Sequence, residues 1–543
     1  MRGADDHVDT RGMLGKLMPL VLAAAGLVAF WPYLHGPFVL DDLHTILQNV
    51  YIRENLNPVY FFNNPQSISV EPSTMTRPLL AFFQAVNYRL SEDSSFGYHL
   101  ANLIIHVMNA VLVTLLTARA GRLKKAAPFC GLLFLLLPVN SLGVAYVSCR
   151  STLIAAFFYL GGLLLFASAR QNPSSLSYLK TALYVAGIGA LYAGGIFTKP
   201  TASTLPAAIV LWAVAFPSQR TPEKKKAGFR FVLAVTALLV FIFGLYLFYR
   251  QVHAAPVLFP PARPWPVWQY AAAQVRAFWT YLSLMAWPVN LSLEHQTWKP
   301  DTVSALLDAR FLLSASALVV MLGLAARFLR RLPELAFPAL FAVLWLLPTS
   351  SVVPLNVLVS ENRAYLACLV FVWPVALLFL QAREKRPAAA SAVMVIVALL
   401  FTGVLWSRAQ VFQSEESVWR DTVRKSPGLY RAWSNLGTVM LIYGRTKAAR
   451  PWFEKALEID PCASAALNNL GNIAIEGGRW DEAEKYYRRA LSCSPENAVA
   501  LYNLSGLLQS RGREEEARAL MKKLDRFRPG RLEYLRQKGV ASP

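Results

Sequence analysis

The sequence predicts an all-α protein in which a polytopic membrane helix bundle is followed by an α-solenoid of short helical repeats. The chain has 543 residues, of which 55% are hydrophobic and 16% charged. Many hydrophobic residues fall in runs of about 20, which is long enough to cross a bilayer as a helix. The final part of the chain instead repeats prolines and small residues at a fixed interval. Together these observations exclude a single soluble core for most of the chain.

The apolar runs predict about eleven transmembrane helices. Residues 267–289 are also apolar, but Pro266 and Pro288 interrupt the run, so we expect them to lie in the interface or re-enter rather than cross. Residues 1–13 mix acids with bases, and no A-x-A-like site follows the first run, so that run predicts a retained helix after a cytoplasmic N-terminus. The predicted spans lie near residues 14–34, 98–118, 126–143, 151–168, 177–196, 201–217, 229–249, 311–326, 335–352, 364–381 and 388–406.

Clusters of Lys and Arg between the runs predict the orientation of the bundle. With the N-terminus inside, an odd number of spans places the first loop (residues 35–97) and everything after residue 407 on the extracytoplasmic side. The net charge of +22 therefore reflects membrane orientation, and we exclude nucleic-acid binding. A bacterial inner membrane fits the compact loops, and an endoplasmic-reticulum membrane would give the same topology. The clusters predicted inside are Arg119/Arg122/Lys124/Lys125, Arg220/Lys224/Lys225/Lys226/Arg230, Arg327/Arg330/Arg331 and Arg383/Lys385/Arg386.

Three sets of residues in the final part of the chain recur every 34 positions, which is typical of tetratricopeptide (TPR) repeats. The sets are Pro427, Pro461, Pro495 and Pro529; Leu436, Leu470 and Leu504; and Ala449, Ala483 and Ala517. The spacing predicts an extracytoplasmic TPR domain over 407–529, with a leading half-repeat at 412–425, repeats at 428–461, 462–495 and 496–529, and a tail at 530–543.

Asn435, Asn469 and Asn503 occupy the same place in the three repeats. They lie on the helix that lines the groove of a TPR superhelix, where an amide can donate to and accept from a bound peptide backbone. The pattern favours a groove that holds an extended acceptor or partner chain. The alternative is that asparagine is merely a common residue at a solvated site of such repeats.

The five cysteines are too few for a disulfide framework. Cys130, Cys149 and Cys368 lie in or beside spans, where thiols pack as small hydrophobic groups. Cys462 precedes the first helix of the second repeat and Cys493 ends its second helix, so a helical hairpin brings them close. They either form a disulfide in an oxidising compartment or remain unpaired thiols.

Charged and polar residues gather at the predicted outer ends of the spans. Asp41 and Asp42 directly follow the first span, so we interpret them as candidate catalytic acids, one of them a base for an attacking hydroxyl. Cations from other segments could hold a lipid phosphate through charge-assisted bonds. This combination is what glycosyl transfer from a lipid-phosphate sugar requires. The further candidates for donor phosphate or sugar binding are Arg77, His99, Arg150, Lys199, Glu361, Arg363 and Tyr365, with His106 on the same side.

The order of these motifs resembles the TMTC family of transmembrane-and-TPR O-mannosyltransferases and its bacterial relatives, within the GT-C superfamily of glycosyltransferases. The motifs are "FVLDD", "RPLLAFFQAVNYRL", "FGYHLANLIIHVMNAVLV", "VAYVSCRSTLIAAFFYL", "IFTKPTASTLP" and "ENRAYL", followed by TPRs. The resemblance covers residues 14–529 and implies a GT-C-like domain over 14–406. It also implies a polyprenyl-phosphate sugar donor, inversion at the sugar and protein O-mannosylation, with Asp41 as the base and Asp42 supporting it or binding acceptor.

Three positions depart from the family pattern. Relatives often carry an acid where Thr152 stands, another where Pro200 stands, and a proline where Ala367 stands. A catalytically retired, membrane-anchored TPR scaffold for envelope or complex assembly therefore remains an alternative to the enzyme. A transporter of lipid-linked sugars is less favoured, because no internal repeat of spans is evident. No cofactor is expected, and a divalent cation would have only Asp41 and Asp42 as ligands, because no cluster has metal-ligand spacing.

Overall fold

The computed structural model describes residues 10–69, 76–171, 177–217, 222–253, 266–297, 302–350 and 354–527. Every regular element in these ranges is a helix, which confirms the all-α prediction. The chain divides into two compact units. Among the described residues, the first comprises 10–253, 266–291 and 297–413, and the second comprises 292–296 and 414–527. The predicted tail, 530–543, lies outside the described residues.

The first unit contains sixteen described α-helices, linked in places by single 3-10 turns. They are α1 (Thr10–Phe30), α2 (Val50–Glu54), α3 (Pro58–Asn63), α4 (Pro78–Ser91), α5 (Ser95–Thr117), α6 (Ala127–Leu136), α7 (Leu142–Ala145), α8 (Arg150–Gln171), α9 (Tyr178–Thr198), α10 (Leu205–Ala215), α11 (Pro222–His253), α12 (Val267–Ala286), α13 (Ala309–Phe328), α14 (Pro333–Leu346), α15 (Leu369–Lys385) and α16 (Pro387–Ala409).

Seven helical segments in the described part of the chain are long and apolar enough to cross a membrane. An eighth forms if Gly121–Leu136 and Pro138–Ala145, which meet at 53°, make one broken span. The chain is therefore a multi-pass membrane protein. The seven segments are Leu17–His35, Ser95–Thr117, Val147–Arg170, Tyr178–Thr198, Arg230–Arg250, Ala309–Phe328 and Pro387–Gln413.

The other three predicted spans form shorter helices. α10 has 11 residues, α14 has 14 and α15 has 17. Proline accounts for part of this difference, because it lacks the N–H of a helix interior and so favours helix starts and kinks. α10 and α14 carry proline in their first turn, and α15 carries Pro374 inside. The count of eleven stays a prediction.

The first extracytoplasmic loop of the prediction is folded rather than open. Its short helices α2 and α3 pack on α4, and a hydrophobic cluster joins them to α5 and α8. Ile46, Phe61 and Leu80 of this cluster are almost completely buried. At about 25 cal/mol per Å² of apolar surface, such burial holds the loop against the bundle. The residues that follow the first span therefore have fixed positions.

In the described residues, the second unit has seven helices: a single leading helix followed by three antiparallel pairs. They are α17 (Glu415–Lys425), α18 (Tyr430–Ile442), α19 (Thr446–Ile459), α20 (Ser464–Glu476), α21 (Trp480–Cys493), α22 (Ala498–Ser510) and α23 (Glu514–Phe527). Gly444, Gly478 and Gly512 connect the helices of each pair at φ of +70°, +70° and +75°. Only glycine adopts this conformation without strain, which explains its recurrence.

In each pair, a small residue on the first helix packs against a large residue on the second helix. A Cβ added at Gly437 would lie 2.8 Å from the Phe453 ring, and one added at Gly471 would lie 2.3 Å from the Tyr487 ring. In the last pair Ser505 takes the place of glycine and Met521 takes the place of the aromatic ring. The Ser505 hydroxyl lies 3.0 Å from the Met521 sulfur. The flexible methionine accommodates the larger serine.

Residues 292–296 also belong to the second unit, which the sequence did not predict. The Gln296 backbone N–H donates to the Ser426 hydroxyl at 3.0 Å, and the Gln296 side-chain oxygen accepts from the Gly428 N–H at 3.0 Å. Glu294 pairs with Arg431 at 3.4 Å. This short segment therefore packs against the turn between α17 and α18.

Candidate active site

The two candidate acids lie in a turn between a 3-10 turn at the end of the first span (Trp31–His35) and a π-helical turn (Leu43–Leu47). Leu40, which immediately precedes them, has a φ of +58°. This left-handed conformation is strained for leucine and persists only where the surroundings enforce it. The strained residue turns the chain so that the two adjacent carboxylates have different environments.

Asp42 is completely buried and takes four hydrogen bonds. Its Oδ1 accepts from the Ser148 N–H at 2.7 Å and from the Ser148 hydroxyl at 2.6 Å. Its Oδ2 accepts from the N–H groups of Val39 at 3.4 Å and Val147 at 3.3 Å. Burial raises the pKa of Asp42 to about 7, although these hydrogen bonds oppose the shift. Asp42 therefore connects the first loop to the start of α8.

Asp41 faces outward, with 65% of its side chain exposed. Its backbone N–H donates to the Tyr146 hydroxyl at 3.2 Å, and its Oδ1 lies 3.4 Å from Nε2 of His44. The other ring nitrogen of His44 lies 2.9 Å from the Ser69 hydroxyl. Sequence reasoning missed His44, although its position three residues after Asp41 in a helical turn is the signal that could have found it.

A cluster of basic residues lies close to Asp41. Lys199 is 9% exposed and its Nζ donates to the Thr152 hydroxyl at 2.6 Å. Burial, together with the nearby charges of Arg77 and Arg363, lowers the pKa of Lys199 to about 7. Burial also lowers the pKa of Arg77, while the Asp41 carboxylate opposes that shift. The structure therefore brings Arg77, Lys199 and Arg363 together, with Arg77 electrostatically coupled to Asp41.

Arg363 is more constrained than the other two basic residues. Its Nη1 donates to the Leu358 carbonyl at 3.0 Å and to the Tyr270 hydroxyl at 3.2 Å. Its Nη2 donates to the Val357 carbonyl at 2.6 Å. Two of these three hydrogen bonds thus go to backbone carbonyls just before Arg363 in the chain. They fix the position from which its charge contributes to the basic cluster.

Three further candidates, His99, Arg150 and Glu361, are held inside the bundle by other protein groups. One ring nitrogen of His99 lies 2.9 Å from the Val144 carbonyl. Nε of Arg150 donates to Asn102 at 2.6 Å. Glu361 is fully buried and pairs with Arg408.

Tyr365 forms a buried network of hydrogen bonds with polar side chains of α5. Its hydroxyl lies 2.6 Å from Nδ1 of His106 and accepts from the Asn109 amide at 3.1 Å. Nε2 of His106 lies 3.0 Å from the Leu135 carbonyl. These contacts account for Tyr365 and His106 as interior hydrogen-bonding groups.

Two of the three repeat asparagines bond to the preceding repeat. The Asn469 amide donates to the Thr438 hydroxyl at 3.2 Å, and the Asn503 amide donates to the Asn472 side chain at 3.2 Å. Asn503 is 5% exposed, whereas Asn435 and Asn469 are partly exposed. The amides therefore link neighbouring repeats, a role that sequence reasoning did not anticipate.

Cys462 and Cys493 form a disulfide, with their Cα atoms 5.4 Å apart. This geometry resolves the alternative left open by the sequence. Cys130, Cys149 and Cys368 are free and buried, as predicted. Within the described ranges, no group of three His, Cys, Asp or Glu side chains could hold a metal ion.

Models of the tetratricopeptide repeat match residues 430–461 and 462–524. The protein O-mannosyl-transferase F38B6.6 of Caenorhabditis elegans is 25% identical over 464 residues, which cover 81% of this chain and 62% of that protein. The human protein O-mannosyl-transferase TMTC3 is 29% identical over 160 residues, or 29% of this chain and 17% of that protein. The chain thus spans less than two thirds of the length of these relatives.

Among solved structures, the oligosaccharyltransferase AglB from Archaeoglobus fulgidus, in complex with an inhibitory peptide and a dolichol-phosphate, is similar at 15% identity. The match has a TM-score of 0.40 and covers 78% of this chain and 58% of that one. A similarity this low does not by itself indicate a shared function. The sequence matches confirm the resemblance read from the motifs: the chain is a homologue of the TMTC-like protein O-mannosyl-transferases, with TPR repeats over residues 430–524.

Proposed function

We propose that the protein is a membrane glycosyltransferase that moves a sugar from a polyprenyl-phosphate donor to a protein hydroxyl on the extracytoplasmic face. One observation carries this proposal: the exposed carboxylate of Asp41 is coupled to Arg77, which lies in a cluster with Lys199. Transfer of a sugar from a phosphate leaving group needs a base for the acceptor hydroxyl and, beside it, a site that binds the phosphate anion. Homology to protein O-mannosyl-transferases supports mannose as the sugar and Ser or Thr as the acceptor.

The proposed reaction is a single displacement. The acceptor hydroxyl attacks the anomeric carbon and gives its proton to an Asp41 oxygen, while the bond from that carbon to the phosphate oxygen breaks. The electron pair leaves with the polyprenyl phosphate, whose charge is held by Arg77 and Lys199. The configuration at the sugar is inverted. Asp42 acts indirectly, by fixing the turn that presents Asp41.

We propose that the first loop and the TPR repeats lie on the same, extracytoplasmic side. The basic clusters of the intervening loops support this topology, because they then fall inside with eleven spans and with α12 not crossing. The disulfide between Cys462 and Cys493 supports it independently, since disulfides persist in oxidising compartments. Labelling of single cysteines introduced at residues 327–331 tests the odd count, which requires protection from outside reagents.

The TPR groove is the proposed site for the acceptor protein. Asn435 and Asn469 are partly exposed and can contact an extended chain, whereas Asn503 is buried against Asn472 and serves mainly to fix the adjacent repeat. An amide that both donates and accepts suits recognition of a peptide backbone without reading its sequence.

The experiment that tests the proposal offers purified protein a panel of polyprenyl-phosphate sugars together with an acceptor peptide. Glycosylated peptide detected by mass spectrometry supports the transferase. The alternative, a retired scaffold, rests on Thr152 and Pro200, which stand where the resemblance leads us to expect acids. That alternative predicts partner binding by the TPRs with no sugar transfer from any donor.

A further inference from the structure

A cleft lies between α4 and the candidate membrane spans α5 and α8, and none of Arg77, Lys199 and Arg363 lines it. It encloses about 460 Å³, within the range of about 300–1,000 Å³ typical of ligand sites. Its walls are mostly apolar, with Val86, Ile105 and Phe157 as examples from the three helices. The polar side chains that line it are Asn87, Ser91 and Arg150. An apolar cleft with a few polar groups suits an amphiphile.

Within the described residues, the Arg150 guanidinium forms no ion pair with an acid. It is 2% exposed, its Nη2 donates to the Tyr98 carbonyl at 2.8 Å, and it lies 5.3 Å from the centre of the Tyr98 ring. The side-chain oxygen of Asn102, which accepts from Nε, is also neutral. Asp42 lies near enough to act on this charge, but hydrogen bonds from other groups occupy its oxygens. Nη1 makes no hydrogen bond within the described ranges.

Asn87 presents a second unused group to the same cleft. It is 6% exposed, and its amide nitrogen donates to the Ser91 hydroxyl at 3.2 Å. Its Oδ1 is buried without a hydrogen-bond partner in the described structure. Buried polar atoms in native proteins are almost always satisfied, so a donor from a bound molecule is the expected partner. A cation and an acceptor thus lie in one apolar cleft.

We propose that the cleft binds one anionic phospholipid of the surrounding bilayer. Its phosphate contacts Nη1 of Arg150, a hydroxyl of its headgroup donates to Oδ1 of Asn87, and an acyl chain lies along the apolar walls. A buried arginine in a membrane is costly unless it is paired, and a lipid phosphate supplies the missing charge. The site does not depend on the proposed transferase, whose donor phosphate we place on Arg77 and Lys199.

The test measures lipid retained by the full-length protein after reconstitution in nanodiscs of phosphatidylcholine with phosphatidylglycerol and repurification in mild detergent. Native mass spectrometry counts the phosphatidylglycerol that remains. We expect one retained molecule in the wild type and about a 10-fold lower occupancy in Arg150→Met, since a charge-assisted bond is lost. Arg170→Met, which removes a charge from the other end of α8, is the matched control and should retain the lipid.

Ala101→Phe fills the cleft and retains Arg150, so it keeps the test decisive should Arg150→Met fail to fold. It should also lose the lipid. Wild-type occupancy in a folded Arg150→Met or Ala101→Phe variant would overturn the proposal. So would retention of zwitterionic phosphatidylcholine equal to that of phosphatidylglycerol. Displacement of the lipid by equimolar polyprenyl phosphate would also overturn it, because the cleft would then belong to the donor.

Discussion

Exchanging each acid of the pair for its amide separates their two roles. Asp41→Asn removes the proton acceptor from a side chain that is 65% exposed, so the free energy of unfolding should change by no more than about 0.5 kcal/mol. If Asp41 is the general base, turnover should fall by about 10²–10⁴-fold while donor binding persists. Stability and turnover thus respond independently at this position.

Asp42→Asn should do the reverse. If the new amide keeps its carbonyl toward Ser148, its nitrogen faces the N–H groups of Val39 and Val147, which then have no acceptor. A buried donor without a partner costs about 1–3 kcal/mol, so the two together destabilise the loop by about 2–6 kcal/mol. The melting temperature should therefore fall, and turnover measured well below it should fall less than in Asp41→Asn.

The assay combines thermal unfolding, binding of a polyprenyl-phosphate sugar and transfer to an acceptor peptide, each measured on both variants. Wild-type turnover in Asp41→Asn would refute its role as the base. A wild-type melting temperature in Asp42→Asn would refute its role in fixing the loop. If both variants transfer sugar at the wild-type rate, the acids are not catalytic and the scaffold alternative becomes the better explanation.

Three further predictions concern the groups around the site and the TPR groove. Lys199 has its pKa lowered from 10.5 to about 7, so the folded protein binds fewer protons than the unfolded chain between about pH 7 and 10.5. Stability should rise with pH across that window and donor affinity should fall above about pH 7, whereas Lys199→Met should show neither trend in thermal melts or binding titrations. If the His44 ring orients the Asp41 carboxylate, His44→Gln should lower kcat by about 10-fold, leave KM unchanged and alter the pH–rate profile. An unchanged pH–rate profile would contradict this role of His44. Asn435→Ala should weaken acceptor capture at an unchanged melting temperature, while Asn469→Ala and Asn503→Ala should each lower that temperature by losing a contact between repeats.

The features that the sequence predicted best are those that follow from a repeating pattern of residues. The 34-residue spacing located the repeats because each repeat needs the same small and large residues at the same packing positions. Hydropathy was less informative about helix length, as the shorter α10, α14 and α15 show. An apolar run does not reveal the residue at which a helix begins after a proline or a 3-10 turn. The segment 292–296 was missed because its contacts join residues about 130 positions apart, and no local pattern signals them.

At the site, the sequence predicted which residue types gather at the membrane exit but not their individual environments. Asp41 and Asp42 are neighbours with the same chemistry, yet after the left-handed Leu40 one is exposed and the other lies among backbone donors. Likewise, a charged residue at the end of a span can face the site, as Arg77 does, or be buried in an ion pair, as Glu361 is. Burial of this kind depends on packing between distant helices.

The hydrogen bond between Thr152 and Lys199 makes the departure at Thr152 compatible with the proposed transferase. An acid at this position, which the resemblance to TMTC proteins leads us to expect, would form an ion pair with Lys199 and cancel part of the cluster's charge. The threonine hydroxyl instead accepts a hydrogen bond from Nζ at 2.6 Å and leaves that charge uncompensated. Like charges crowded into a buried site cost free energy, which the phosphate of a bound donor would offset. Thr152→Asp should therefore raise the pKa of Lys199 and weaken donor binding. If Thr152→Asp instead strengthens donor binding, the neutral threonine beside Lys199 is not the reason that the basic cluster binds an anion.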